Sequence, residues 1–188
     1  MRSIDDLQVE TARLILRLPR VEDLDPWSEM MADELAARFI GGITPRSVCW
    51  RQLMTLIGAW HAHGFGMFSV IEKESGRWIG RVGPWQPEGW PGTEIGWAIV
   101  RDRWGRGYAS EGAVAATNWA FDTLGWTDII HSIAPQNIAS QRVAQKLGSR
   151  LLGPGILPPP YQNDAVDLWG QTREDWQRRT MMAVGERA

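Results

Sequence analysis

The sequence predicts an α/β fold on a mixed sheet, and three observations carry the prediction. A hairpin signal, Gly66-Met-Phe-Ser-Val-Ile-Glu72 and Arg77-Trp-Ile-Gly-Arg-Val-Gly83 about a Lys73-Glu-Ser-Gly76 turn, calls for antiparallel pairing. A strand, helix, strand, helix succession from Thr93 to Leu147 calls for a right-handed parallel crossover. The length of 188 residues suits one domain with a full core, taken as 1–188 with its core at about 11–174.

In chain order, Thr11-Ala-Arg-Leu-Ile-Leu-Arg-Leu18 reads as a first strand closed by Pro19. A helix start follows at Val21 to Trp27, with Asp23 or Asp25 as cap and Pro26 in the first turn. Met30, Met31, Leu35 and Phe39 recur at helical spacing and are expected to face inward. Gly41-Gly42 breaks that helix, and Pro45 with Ser47 begins another carrying Leu53, Leu56, Ile57 and Trp60. After the hairpin, Pro84, Pro87 and Pro91 make the connection irregular and place Trp85 and Trp90 at a ligand edge.

Thr93 to Val100 resumes a strand, and the small and apolar residues from Ala109 to Leu124 mark a helix stopped by Gly125. Asp128 to Ile133 is a strand, and Asn137 to Leu147 a helix stopped by Gly148. The prolines of Leu152 to Tyr161 predict a stiff loop over one end of the sheet. Ala165 to Gly170 forms a last strand, and Thr172-Arg-Glu-Asp-Trp begins a short helix.

Composition narrows the function classes. A net charge of −2 gives no global pull toward nucleic acid or anionic membrane. Arg101, Arg103 and Arg106 nevertheless crowd one turn, a clustering that favours a polyanionic small ligand. The single cysteine, Cys49, excludes an internal disulfide and cannot by itself build a zinc site. His61 and His63, at i, i+2, do not share a helix face, so no metal is expected. With no apolar leader after Met1 and no apolar run of spanning length, a cytoplasmic protein is expected.

The chain is organised around Arg101-Asp-Arg-Trp-Gly-Arg-Gly-Tyr-Ala-Ser-Glu111, a glycine-rich turn leaving a strand and opening a helix. Two glycines flanking an arginine allow backbone dihedrals closed to other residues, so successive N–H groups converge on one point. The unpaired amides and positive dipole end of the helix behind add to the attraction for an anion. An ordinary strand-to-helix loop is the alternative. The turn lacks the third glycine of a dinucleotide fingerprint, and no Gly-Lys-Ser/Thr follows.

Glu94-Ile-Gly-Trp-Ala-Ile99, Trp104-Gly-Arg-Gly-Tyr-Ala-Ser-Glu111 and Asn137-Ile-Ala-Ser-Gln-Arg-Val-Ala-Gln-Lys-Leu-Gly148, in this order, resemble the GCN5-related N-acetyltransferases. The nearest branch is the one that acetylates ribosomal-protein N-termini. Its likeness begins at Thr11-Ala-Arg-Leu-Ile-Leu-Arg and runs to the closing strand. The branch also shares Trp104, where the wider family has Gln or Arg.

The resemblance implies a splayed mixed sheet of about seven strands flanked by about four helices, with acetyl-CoA entering between the strands of Glu94 and His131. It places the pantetheine along Ile99, Val100 and Arg101 and the pyrophosphate on the amides of Arg106, Gly107, Tyr108, Ala109 and Ser110. It further assigns Asn137 and Arg142 to the cofactor. The acceptor is then a primary amine, either a peptide N-terminus or a small molecule, and a homodimer is compatible with the branch.

Such chemistry needs an uncharged amine, a donor for the developing oxyanion and help for the departing thiolate. An alkyl amine titrates near a pKa of about 10.4 and an α-amine near about 8, so proton removal is the step to assist. Glu94 is the candidate base, sharing its strand face with Gly96 and Ala98; a solvated edge carboxylate is the other reading. Ser140 is the candidate donor to the thiolate, as the family's N-x-x-S pattern suggests, or a serine bonding its own backbone. Asn137 is equally a good N-cap. His131 and Tyr161 are secondary candidates for acid–base work or substrate contact. A different class of function keeps the fold without catalysis: a CoA-binding sensor or interaction protein whose tryptophan-rich face docks a partner.

Overall fold

The structure, a computed structural model, describes residues 6–185. The chain runs β1 (Gln8–Glu10), β2 (Leu14–Arg17), α1 (Leu24–Ala32), α2 (Glu34–Ala37), α3 (Arg46–His63), β3 (Phe68–Glu72), β4 (Trp78–Trp85) and β5 (Glu94–Ile99). It continues through α4 (Tyr108–Thr123), β6 (Asp128–Ile133), α5 (Ile138–Leu147), β7 (Arg150–Gly155), β8 (Val166–Thr172) and α6 (Arg173–Gly185). One mixed sheet takes the order β1-β2-β3-β4-β5-β6-β8-β7, and β5 with β6 is its parallel pair.

The sheet has eight strands against about seven expected, and two of them, β1 and β7, do not read as strands in the sequence. β1 is too short to leave a periodic signal, yet Val9 pairs with Leu16. β7 includes Gly153 and Pro154, which read as loop in the sequence; pairing with β8 overrides that composition, and the ladder slips between Leu151 and Gly153. β4 likewise continues through Pro84 to Trp85 where an irregular connection is expected.

The helix expected to run to Phe39 ends at Ala32. Asp33 turns extended there, and its carboxylate accepts from the amides of Leu35 and Ala36, starting α2 on a new axis. Met30 and Met31 are therefore buried, whereas Leu35 is 52% and Phe39 37% exposed, against the expected inward face. Asp23 caps no amide of α1 with its side chain. Its buried carboxylate accepts instead from Arg17, the Arg20 amide and Ser69.

The sheet separates two cores. On one face α4 packs its small residues, Ala113, Ala116 and Ala120, against Leu14, Val82 and Ile95. A Cβ added at Gly112 would come within 3.1 Å of Val82 Cγ1, so glycine there sets how closely the helix approaches. On the other face α1 and α3 bury Trp27, Met31, Cys49 and Leu53 against Met67, Trp78 and Ala98. No helix among the described residues is long and apolar enough to cross a membrane.

Candidate active site

β5 and β6 touch at one end only. Their single registered pair is Glu94 with Ile130, where the Ile130 amide donates to the Thr93 carbonyl at 2.9 Å. Beyond it the ladder is replaced by side chains. His131 Nδ1 donates to the Ile95 carbonyl at 2.7 Å, and the Trp97 indole lies 4.8 Å from the His131 ring. That indole donates to Ser140 Oγ on α5 at 3.2 Å. Two rings thus occupy the width a ladder would need, and the strands part.

The free edge of β5 follows from its pairing with β4. Pro84, which has no N–H, stands opposite Ile95, so Ile95, Trp97 and Ile99 turn their backbone polar groups toward the gap. Of these, the Ile95 carbonyl is taken by His131 and the Ile99 carbonyl by the Trp104 indole at 2.7 Å. The Val100 amide points the other way, to Ile79. Arg101 ties its side chain to Asp33 at 2.6 Å.

Next comes the turn. Gly105 and Gly107 adopt φ of 74° and 81°, which an L side chain rarely tolerates. Among the described residues, no amide from Arg106 to Ser110 donates to a loop or cap carbonyl; the first bond of α4 in this segment is Glu111 to Gly107. Five donors at the mouth of a helix of 16 residues remain for an anion. These free amides, with the edge left open at Trp97 and at the Ile99 amide, fit a pyrophosphate and an amide-bearing arm, the two parts that CoA carries. Asn137 caps α5 by accepting from the Ser140 amide at 3.1 Å, and Arg142 is exposed.

Two carboxylates, neither given a role by the sequence, brace this turn. Glu111 accepts from Thr11 Oγ1, the Arg13 amide and Arg13 Nε, while Arg13 Nη1 donates to the Arg106 carbonyl at 3.0 Å. Burial pushes the Glu111 carboxyl up, and these donors outweigh it and hold it below its ordinary value. Behind the turn, Glu72 accepts from Ser75, Tyr108 and Arg103, which bring its pKa down to about 2 against the opposing effect of burial. The Tyr108 side chain is thereby buried away from the gap, leaving only its amide to the cradle.

At the start of β5, Glu94 is buried, and Trp90 Nε1 and Ser132 Oγ donate to its Oε2 at 2.6 and 2.8 Å. Burial raises its pKa; the bonds from Trp90 and Ser132 and the charge of Arg81 pull it back only in part. The sequence marks Trp90 only as a residue at a ligand edge and Ser132 not at all, and the link of either to Glu94 is hidden because each reaches it from a different segment. Trp90 is only partly buried and packs edge-on against Tyr161, 6.4 Å away, joining the two loops over the carboxylate. Glu94 and Trp97 fall on opposite faces of β5, so Glu94 and Ser140 approach the parted strands from opposite sides.

His131 is buried with both ring nitrogens engaged. Since the Ile95 carbonyl only accepts, Nδ1 carries the proton and Nε2 accepts from Ser149 Oγ, which in turn accepts from Gln171. Burial lowers the ring's pKa to about 4, and the imidazole is neutral near pH 7. It braces the gap rather than offering a free nitrogen to a substrate.

Comparison with known proteins agrees with this geometry. A family model for the acetyltransferase (GNAT) domain matches residues 13–150. The acetyltransferase of Agrobacterium tumefaciens strain C58 superposes with a TM-score of 0.76 at 29% identity, covering 88% of this chain and 94% of that one. The ribosomal-protein-S5-alanine acetyltransferase of Vibrio fischeri shares the fold, with a TM-score of 0.71 at 19% identity over 91% of this chain and 99% of that one. The FsC-acetyl coenzyme A-N(2)-transacetylase of Aspergillus fumigatus is 32% identical over 90 residues, 46% of this chain and 38% of that protein. The chain spans 51% and 38% of the length of the first curated relatives it matches. With the family model spanning most of its length, the chain belongs to the GNAT acetyltransferase family.

Proposed function

We propose that this protein transfers an acetyl group from acetyl-CoA to a primary amine by direct attack within a ternary complex. The observation that carries the reading is the parting of β5 from β6 with a buried carboxylate at its root and a row of free amides at its mouth. Acetyl-CoA supplies a thioester activated toward amines. The amides of Arg106 to Ser110 hold its pyrophosphate, and the Trp97 and Ile99 edge of β5 pairs with its pantetheine, Asn137 at the start of α5 and Arg142 midway along it completing the set.

Glu94, with a pKa above the ordinary carboxylate value, accepts the proton of the incoming ammonium and leaves the nitrogen uncharged. Trp90 and the Ser132 hydroxyl hold its Oε2, while Oε1 accepts only the longer bond from the Ser132 amide at 3.3 Å and is the oxygen left to take the proton. Ser140, held by its Asn137 cap and by Trp97, offers its hydroxyl to the departing thiolate from the other face. The fungal relative's name supports the reading by naming acetyl coenzyme A.

The test is release of the CoA thiol from acetyl-CoA by the purified protein over a panel of primary amines and peptides. Turnover with at least one amine, saturable in acetyl-CoA, is expected. Binding of acetyl-CoA without turnover on any member would favour the sensor reading, and no binding would remove both.

A further inference from the structure

Among the described residues, Arg81 is a charged group on the Glu94 side of the sheet whose partners do not account for it. It stands opposite Ala98 on β4, and Trp85 stands opposite Glu94, so Arg81, Ala98, Gly96 and Glu94 share a sheet face. Its guanidinium lies 4.9 Å from the Trp27 ring, and Nη1 meets Met67 Sδ at 3.4 Å. Its Nε is buried with no hydrogen-bond partner, and among the described residues it forms no ion pair.

A thioether is a weak acceptor and an indole face a weak counterpart to a charge; neither neutralises a guanidinium that is partly taken out of water. A guanidinium has five N–H donors in a fork shaped for a carboxylate. Apart from the Nη1 contact with Met67, the protein offers that fork no hydrogen-bond acceptor among the described residues, and its Nε is left buried and unpaired. Burial lowers its pKa, and Tyr161 and Glu94 restore it only in part, so both lie within its electrostatic reach.

Met67 connects the two charged residues. Its Sδ touches Arg81, and a Cβ added at Gly96 would collide with its Cε while lying 3.6 Å from Glu94 Oε1. Arg81 and Glu94 are therefore separated by about one methionine side chain, the flexible Met67 lying over Gly96 between them. They do not pair with each other. Two opposite charges that share one sheet face without touching match a small molecule carrying both complements.

We propose that Arg81 selects the acceptor by binding a carboxylate carried a few bonds from the reacting amine, so that the preferred acceptor is a short amino-carboxylate such as a free α-amino acid. The inference rests on the acetyltransferase reading above. Glu94 takes the ammonium and Arg81 the carboxylate. A polyamine brings a second cation toward Arg81, and a peptide N-terminus brings a neutral carbonyl that leaves the guanidinium without an anion; both are poorer acceptors.

The experiment compares initial rates of CoA release by the full chain for the proteinogenic amino acids, β-alanine and γ-aminobutyrate, each against its carboxamide, with spermidine and short peptides alongside. The expected result is a kcat/KM at least tenfold higher for the best acid than for its carboxamide, with most of the difference in KM, although the amide's less basic amine is the easier to deprotonate. Arg81→Gln is expected to collapse that ratio toward one and Arg81→Lys to recover part of it. The wild-type ratio alone decides the matter if the variants fail to fold. Equal or better turnover of carboxamides, peptides or spermidine by the wild type, or a ratio that survives Arg81→Gln, overturns the proposal and leaves the acetyltransferase reading standing. No CoA release with any amine overturns both.

Discussion

Past the end of β5 the chain gathers backbone donors and surrounds them with carboxylates that bind only protein, while at its start it buries one carboxylate among aromatic side chains. The cradle works with groups every residue has, and its side chains serve to hold a shape. Glu72 and Glu111 never face the gap; they fasten the turn to β2 and β3 through Arg13, Arg103 and Tyr108. The Glu94 end works with particular side chains, and its shape serves to perturb their charge. A ligand common to many relatives suits the first arrangement, and an acceptor peculiar to one protein suits the second.

The strongest way to separate the two ends is Glu94→Gln. Loss of a general base costs about 10²–10⁴ in rate, so kcat is expected to fall by that order while the Kd for acetyl-CoA stays put. A parallel loss of acetyl-CoA affinity would show that the two ends are one unit.

Gly107→Ala attacks the other end. A side chain in the left-handed region costs roughly 1–2 kcal/mol, so acetyl-CoA affinity is expected to weaken about tenfold, by calorimetry, with kcat at saturation largely retained. Glu111→Gln should act more gently. Losing the charge that ties Thr11 and Arg13 to the turn costs about 1–3 kcal/mol, seen as a fall of several degrees in Tm and a severalfold weaker grip on acetyl-CoA. A variant with unchanged affinity would mean the turn keeps its shape unaided.

Acid sharpens the comparison with the smallest effect. His131 is held neutral with a pKa of about 4 against 6.5 for a free imidazole, so its contribution is whole above about pH 6.5 and is lost as the pH falls toward 4. Glu72 is held near 2 against 4.5, so its contribution is whole above about pH 4.5 and is lost as the pH falls toward 2. Hydrogen exchange is expected to loosen β6 and β8 first and the cradle turn second. Simultaneous loosening would show that neither group governs its own region.

The two ends were also unequally legible. Gly105 and Gly107 announce left-handed backbone, and a helix pattern follows at once, so the turn could be read from residues adjacent in the chain. Glu94 could be placed on its strand, but not its environment, because Trp90 comes from a loop, Ser132 from β6 and Arg81 from β4. The same limit hid the braces: Thr11, Arg13 and Glu111 all stand in the motifs, yet nearly 100 residues separate the partners. Elsewhere tertiary pairing overruled local composition. β7 forms despite Gly153 and Pro154, and Asp33 breaks a helix that the spacing of Met30, Met31, Leu35 and Phe39 would continue.

Pro154 has a consequence of its own. β7 is the last strand on its side of the sheet, and an outer strand with an unbroken row of donors is a template for another chain. A proline and a slipped ladder interrupt that row, so neighbouring molecules at high concentration find no continuous border on which to extend the sheet.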